Sequence, residues 1–133
     1  MGRAKLYLVT ALAGCVAATA LLSGPVGAVN RYEIDAVTIK VDRPARKITG
    51  KVFADSTVAH FCTSGGWPVR LRLVRAGKDK TIGFPTHTNF RDRYRFRPPM
   101  SVKGKRVYAE VPSFHNNANG FCVGDRTRSV RSP

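Results

Sequence analysis

Four arginines at alternate positions, Arg91, Arg93, Arg95 and Arg97, are the densest chemical feature of this sequence. On an extended strand alternate residues share a face, so their guanidinium groups recur every ~6.8 Å and span about 20 Å. Arg70 and Arg72 repeat the pattern within Val69-Arg70-Leu71-Arg72-Leu73. A guanidinium is a planar fork of donors that fits phosphate, sulfate and carboxylate. If the two stretches are neighbours, their arginines repel one another, and a bridging anion relieves that repulsion. These six residues therefore suggest recognition of an extended anionic polymer. The same alternation also keeps a sheet face soluble and its edges unpaired with no ligand at all, and both readings stay open here.

Catalytic patterns are absent by comparison. His60, His87 and His115 show no His-x-x-x-His spacing and adjoin no carboxylate. A zinc site from His60 and Cys62 lacks two further ligands. No Gly-x-Ser-x-Gly, phosphate-loop or dinucleotide fingerprint occurs. Ser113 and His115 are close in sequence, which does not by itself make a nucleophile and base. A non-catalytic protein with no cofactor or metal is expected. The minor alternative is a small secreted hydrolase or effector whose site is assembled in space from His60, His87 or His115. Trp67, the single tryptophan, has two readings: packing over one end of the core, against Phe61 or a disulfide, or stacking on a carbohydrate.

The chain has 133 residues, 23 Lys and Arg against 8 Asp and Glu, and a net charge of +15. That length suits one small domain, and a 43% hydrophobic share excludes a fully disordered chain. Residues 1–28 form a secretory signal peptide. Arg3 and Lys5 lead a charge-free run of ~17 residues, helix breakers follow at Ser23-Gly24-Pro25, and Val26-Gly27-Ala28 is a small-residue cleavage site. Leu12-Ala13-Gly14-Cys15 also resembles a bacterial lipobox, which would make Cys15 a lipidated first residue on the outer face of the cytoplasmic membrane. The apolar residues after Cys15 and the second cleavage site argue against that use. Membrane association is expected only if the lipobox is used or the signal stays uncleaved.

Cleavage after Ala28 leaves residues 29–133 as a single domain. Losing Arg3 and Lys5 leaves it 21 basic and 8 acidic residues, a net charge of +13. It keeps two cysteines, Cys62 and Cys122, which in an exported chain are expected to form a disulfide.

Short period-two runs separated by Gly, Pro, Asn and Asp dominate this domain. Strands are expected over residues 36–41, 48–54, 57–61, 69–73, 81–84, 90–97, 105–111 and 126–131. Pro85 marks an edge strand or a bulge. In the 90–97 strand, Phe90, Asp92, Tyr94 and Phe96 face away from the arginines and are expected inside. That parity argues against a base-stacking platform, so no specific nucleic-acid partner is expected. About seven strands at this spacing indicate an all-β, antiparallel immunoglobulin-like sandwich, with a small closed barrel as the competitor.

Certain stretches carry a resemblance: Ile48-Thr49-Gly50-Lys51-Val52, Val69-Arg70-Leu71-Arg72-Leu73, Tyr94-Arg95-Phe96, and Arg106-Val107-Tyr108-Ala109-Glu110-Val111, with Cys62 and Cys122 between and after them. Over residues 48–131 the chain resembles secreted carboxypeptidase regulatory-like, or prealbumin-like, domains. The resemblance implies a seven-stranded sandwich and a non-catalytic module. That family usually has a Gly just before the Tyr-x-Phe strand. Here Arg93 stands there, and the strand is expected to begin at Phe90.

Taken together, the sequence indicates an exported, disulfide-stapled β-sandwich that holds an anionic extracellular or cell-envelope polymer through Arg91, Arg93, Arg95 and Arg97, helped by Arg70 and Arg72. The alternative is a structural or protein-interaction domain with no polymer ligand.

Overall fold

Apolar residues at every second position give strands with one wet and one dry face, and two such sheets bury their dry faces together. The computed structural model describes residues 30–63, 65–116 and 120–133. The expected signal segment, residues 1–28 with Cys15, lies outside them. In chain order the strands are β1 (Asn30–Glu33), β2 (Ala36–Val37), β3 (Lys40–Asp42), β4 (Lys47–Phe53), β5 (Pro68–Leu73), β6 (Lys80–His87), β7 (Arg93–Phe96), β8 (Arg106–Val111), β9 (Phe114–His115), β10 (Gly120–Val123), β11 (Asp125–Arg126) and β12 (Val130–Arg131). One short helix, α1 (Ser56–Cys62), follows β4, and a single 3-10 turn spans Met100–Val102.

The first sheet is built on β4. Strands β2 and β3 pair with one side of it and β7 with the other, all antiparallel. The second sheet runs β6-β5-β8, with β11 and β12 both on the far side of β8. Ile48, Val52, Tyr94 and Phe96 of the first sheet meet Val69, Leu71, Val107, Ala109 and Val111 of the second in one buried core. A third sheet, β1-β10-β9, contains the one parallel pairing, β1 with β10. The protein is therefore an all-β sandwich. No helix among the described residues is long and apolar enough to cross a membrane.

The disulfide joins Cys62, at the end of α1, to Cys122 on β10, with Cα atoms 5.9 Å apart. Both cysteines are buried in the core with Trp67. Trp67 is only 1% exposed, so it packs as a core residue and offers no ring for stacking on a carbohydrate. Its N–H donates to Thr88 Oγ1, and its carbonyl accepts from the Thr88 N–H.

Two expected strands differ. Residues 57–61 are helical, not extended. The Asp55 carboxylate accepts from the Val58 N–H at 2.9 Å, satisfying a donor at the helix start. Val58 and Cys62, four apart, form its buried stripe. The strand expected over 90–97 begins only at Arg93. Asn89 Oδ1 accepts from the Arg91 and Arg93 N–H groups, and Asp92 adopts a left-handed φ of 58°. This Asn-anchored turn overrides the alternation before Arg93. Phe90 therefore sits on the turn, 90% exposed, and not in the core.

Two other strands are interrupted by threonines. Residues 36–41 keep one register against β4, yet the ladder is broken at Thr38, where Thr38 Oγ1 accepts from the Lys51 N–H at 3.0 Å. Residues 125–131 are split into β11 and β12 around Thr127, whose hydroxyl accepts from the Ala109 N–H at 3.1 Å. In both places a side-chain oxygen takes the role of a backbone carbonyl.

Candidate functional site

On β4 the residues Ile48, Gly50 and Val52 point inward, which leaves Lys47, Thr49 and Lys51 on the outer face. On β7 the same alternation buries Tyr94 and Phe96 and exposes Arg93 and Arg95. Register then decides which cations meet. Lys51 lies directly opposite Arg93, and Thr49 opposite Arg95. On the other side of β4, Thr49 is opposite Lys40. A lateral row Lys40-Thr49-Arg95 therefore runs beside the pair Lys51-Arg93. At ~4.8 Å between strands and ~6.8 Å along them, the four cations rise from a backbone patch about 10 Å by 7 Å.

These residues line an open cleft of about 770 Å³. Its wall continues through Thr86, His87 and Asn89, and no acidic residue lines it. Lys51 and Arg93, like charges directly opposite one another, repel. The ammonium of Lys51 leans instead over the Phe53 ring, 4.8 Å from its centroid. Among the described residues the ion pair on this face is at its end, Lys47 to Asp42 at 3.9 Å.

The six arginines singled out from the sequence do not share one surface. Arg93 and Arg95 are on the cleft. Arg91 is exposed on the preceding turn, its guanidinium 5.3 Å from the centre of the Phe90 ring. Arg97 is exposed immediately after β7. Arg70 and Arg72 lie on β5, in the other sheet. Glu110, opposite Arg70 on β8, meets both: its Oε2 is 2.9 Å from Arg70 Nε and 3.4 Å from Arg72 Nε. That hydrogen bond raises the Arg70 pKa above its ordinary value. Arg72 is further held by Thr81 Oγ1 and the Asp79 carbonyl. These two arginines share one carboxylate, which pairs them within their own sheet and halves their combined charge.

Lys40 and Lys51 are the site residues that the sequence reading missed. Neither belongs to a dense basic run like that of residues 91–97, and only the register on the two sides of β4 puts them beside Arg93 and Arg95. What was missing was the pairing of their strands with residues 93–96.

The histidines are dispersed over α1, β6 and β9, and all three are exposed. His60 stands edge-on to Phe61, and His115 rests against Phe121. Only His87 reaches the basic cleft. Ser113 Oγ accepts from the Gly124 N–H at 2.8 Å. No cluster of three His, Cys, Asp or Glu side chains suited to a metal ion occurs among the described residues. No protein-family model, curated protein or solved structure matches the chain.

Proposed function

We propose that this protein is an exported, non-catalytic β-sandwich module, of the prealbumin-like kind its strand motifs resemble, that binds an anionic extracellular or cell-envelope polymer. The binding surface is the outer face of β3-β4-β7, with Lys40, Lys51, Arg93 and Arg95 at its centre and Arg91 and Arg97 at its margins. Arg70 and Arg72 are not part of it.

One observation carries the reading. Four cations converge on a cleft without an acidic residue, while the comparable pair Arg70 and Arg72 is bridged by Glu110, which offsets one of their two charges. An unneutralised, like-charged cross-strand pair is a cost to the fold. A bound chain of phosphate, sulfate or carboxylate groups offsets that cost and engages guanidinium forks bidentately. Export is supported by the pattern of residues 1–28 and by the disulfide, a bond that persists in oxidising compartments.

The test is retention of the mature domain on anionic and neutral polymers across a salt series. One polymer should bind near physiological salt while others of equal charge density do not, and Lys51→Glu with Arg93→Glu should shift elution to markedly lower salt. Equal, weak binding to every anion that ~0.2 M salt removes would reduce the cleft to general surface charge.

A further inference from the structure

A second group of cations lies on the other sheet. Arg106, at the start of β8, is directly opposite Arg131 on β12. Val107 and Val130, the adjacent pair, point into the core, which turns both arginines outward. With Arg75 and Lys105 they line an open cleft of about 600 Å³ that has no acidic residue in its wall.

The way these guanidinium groups are held is informative. Arg75 donates from Nε and Nη2 to the Lys78 carbonyl, at 3.2 and 3.1 Å. Arg131 Nη1 donates to the Gly104 carbonyl at 3.1 Å, and Arg106 Nη1 to Ser129 Oγ at 3.2 Å. All three are oriented by neutral acceptors. None of them, nor Lys105, has an ion-pair partner among the described residues. A guanidinium has five donors, so each fork keeps free N–H groups and its full charge. Neutral acceptors fix position without neutralising, which is what an anion site requires. Arg70 and Arg72, held by Glu110, are the contrast within the same sheet.

We infer that the cleft of Arg75, Lys105, Arg106 and Arg131 is a second anion site, and that the protein is divalent, joining two anionic polymer chains through opposite sheets. Divalence rests on the function proposed above for the Lys51–Arg93 face. The two sites belong to different sheets, and the Arg70–Arg72–Glu110 cluster occupies the outer face of β5-β8 with one of its two positive charges offset. One polymer segment fills one cleft, and a second segment fills the other. Long chains are thereby cross-linked, whereas short ones are merely bound.

The test uses inorganic polyphosphate in short and long forms with the mature domain, at low salt. Calorimetric titration with short chains should give two bound per molecule, and long chains should turn the solution turbid. Arg106→Glu with Arg131→Glu should bind one short chain and form no turbidity, as should Lys51→Glu with Arg93→Glu. The combined variant should bind none. The milder Arg106→Gln with Arg131→Gln, and a thermal melt of each variant, separate loss of the site from loss of the fold. A charge-matched control, Arg31→Glu with Arg128→Glu, should keep both chains and the turbidity. If the Arg106 and Arg131 variants behave as wild type while the Lys51 and Arg93 variant loses binding, divalence is overturned and the sheet-face function stands. If a single chain binds and only the Arg106 and Arg131 variants lose it, the sheet-face function falls, and divalence with it. If the control loses as much as the others, net charge alone acts and both sites are rejected.

Discussion

The Tyr94 hydroxyl donates to the Thr38 carbonyl oxygen at 2.5 Å, reaching across β4 from the strand on its other side. The residue it crosses is Gly50, its direct partner in register. A Cβ on Gly50 would overlap both the Tyr94 ring and the Thr38 carbonyl. Thr38 turns its carbonyl to Tyr94 and offers its side-chain oxygen to the Lys51 N–H in its place. Those three residues therefore tie the junction of β2 and β3 to β4 and β7 directly beneath the basic cleft.

Gly50→Ala and Tyr94→Phe are accordingly both destabilising. The alanine forces overpacking worth about 1–3 kcal/mol. The phenylalanine leaves the Thr38 carbonyl without its donor, at about 1–3 kcal/mol. Urea denaturation of Gly50→Ala, of Tyr94→Ala and of the double variant should reveal coupling, with the double variant less destabilised than the two single changes added together. Strict additivity would mean that the ring and the glycine do not share space.

Stability should fall at alkaline pH through the same tyrosine. Burial raises the Tyr94 pKa above its ordinary value of 10.0. Above pH 10 the unfolded chain releases this proton while the folded one retains it. The folded state then binds more protons, so stability declines as pH rises. Tyr94→Phe lacks that component. The gap between the two proteins, read from urea midpoints at stepwise higher pH, should narrow from pH 9 upward through pH 10. A constant gap would show that the buried phenol does not titrate differently in the two states.

Arginines of the two sheets should separate by assay. Arg93→Glu with Arg95→Glu should markedly weaken polymer retention and leave the melting temperature within a few degrees, because both side chains are exposed. Arg70→Ala should leave retention intact and lower stability by only about 0.2–1 kcal/mol, since the pair is partly exposed and Arg72 stays beside Glu110. Loss of retention in Arg70→Ala would extend the site to the second sheet.

Reduction of the Cys62–Cys122 bond should cost about 4 kcal/mol, the chain-entropy value for a loop closed over a separation of 60 residues. Melts with and without a phosphine reductant measure it, and intact mass should shift by two hydrogens. No mass shift would mean that the thiols are already free.

Phe90→Ser should be nearly neutral for folding. The ring is 90% exposed on the Asn89–Arg93 turn, and its recorded ring contact is with Arg91. A loss above ~1 kcal/mol would return Phe90 to the core.

Local patterning by itself determined the sandwich. Alternation fixed the inward residues Val69, Leu71, Tyr94, Phe96, Val107, Ala109 and Val111, because a strand has a side-chain period of two whatever it pairs with. It also put Arg93 and Arg95 outside, and an even number of cysteines after residue 28 marked the disulfide. The α1 helix was legible as well, in the Asp55 cap and the spacing of Val58 and Cys62, but a short apolar run fits either period. Only the tertiary structure decided which strands lie side by side. Cross-strand neighbours are set by register, a long-range property that no local run encodes. Register brought Lys40 and Lys51 to Arg93 and Arg95, gave Arg70 and Arg72 to Glu110, and set Arg106 against Arg131. The charge was readable residue by residue, whereas its division into ion-paired and open clusters required the fold.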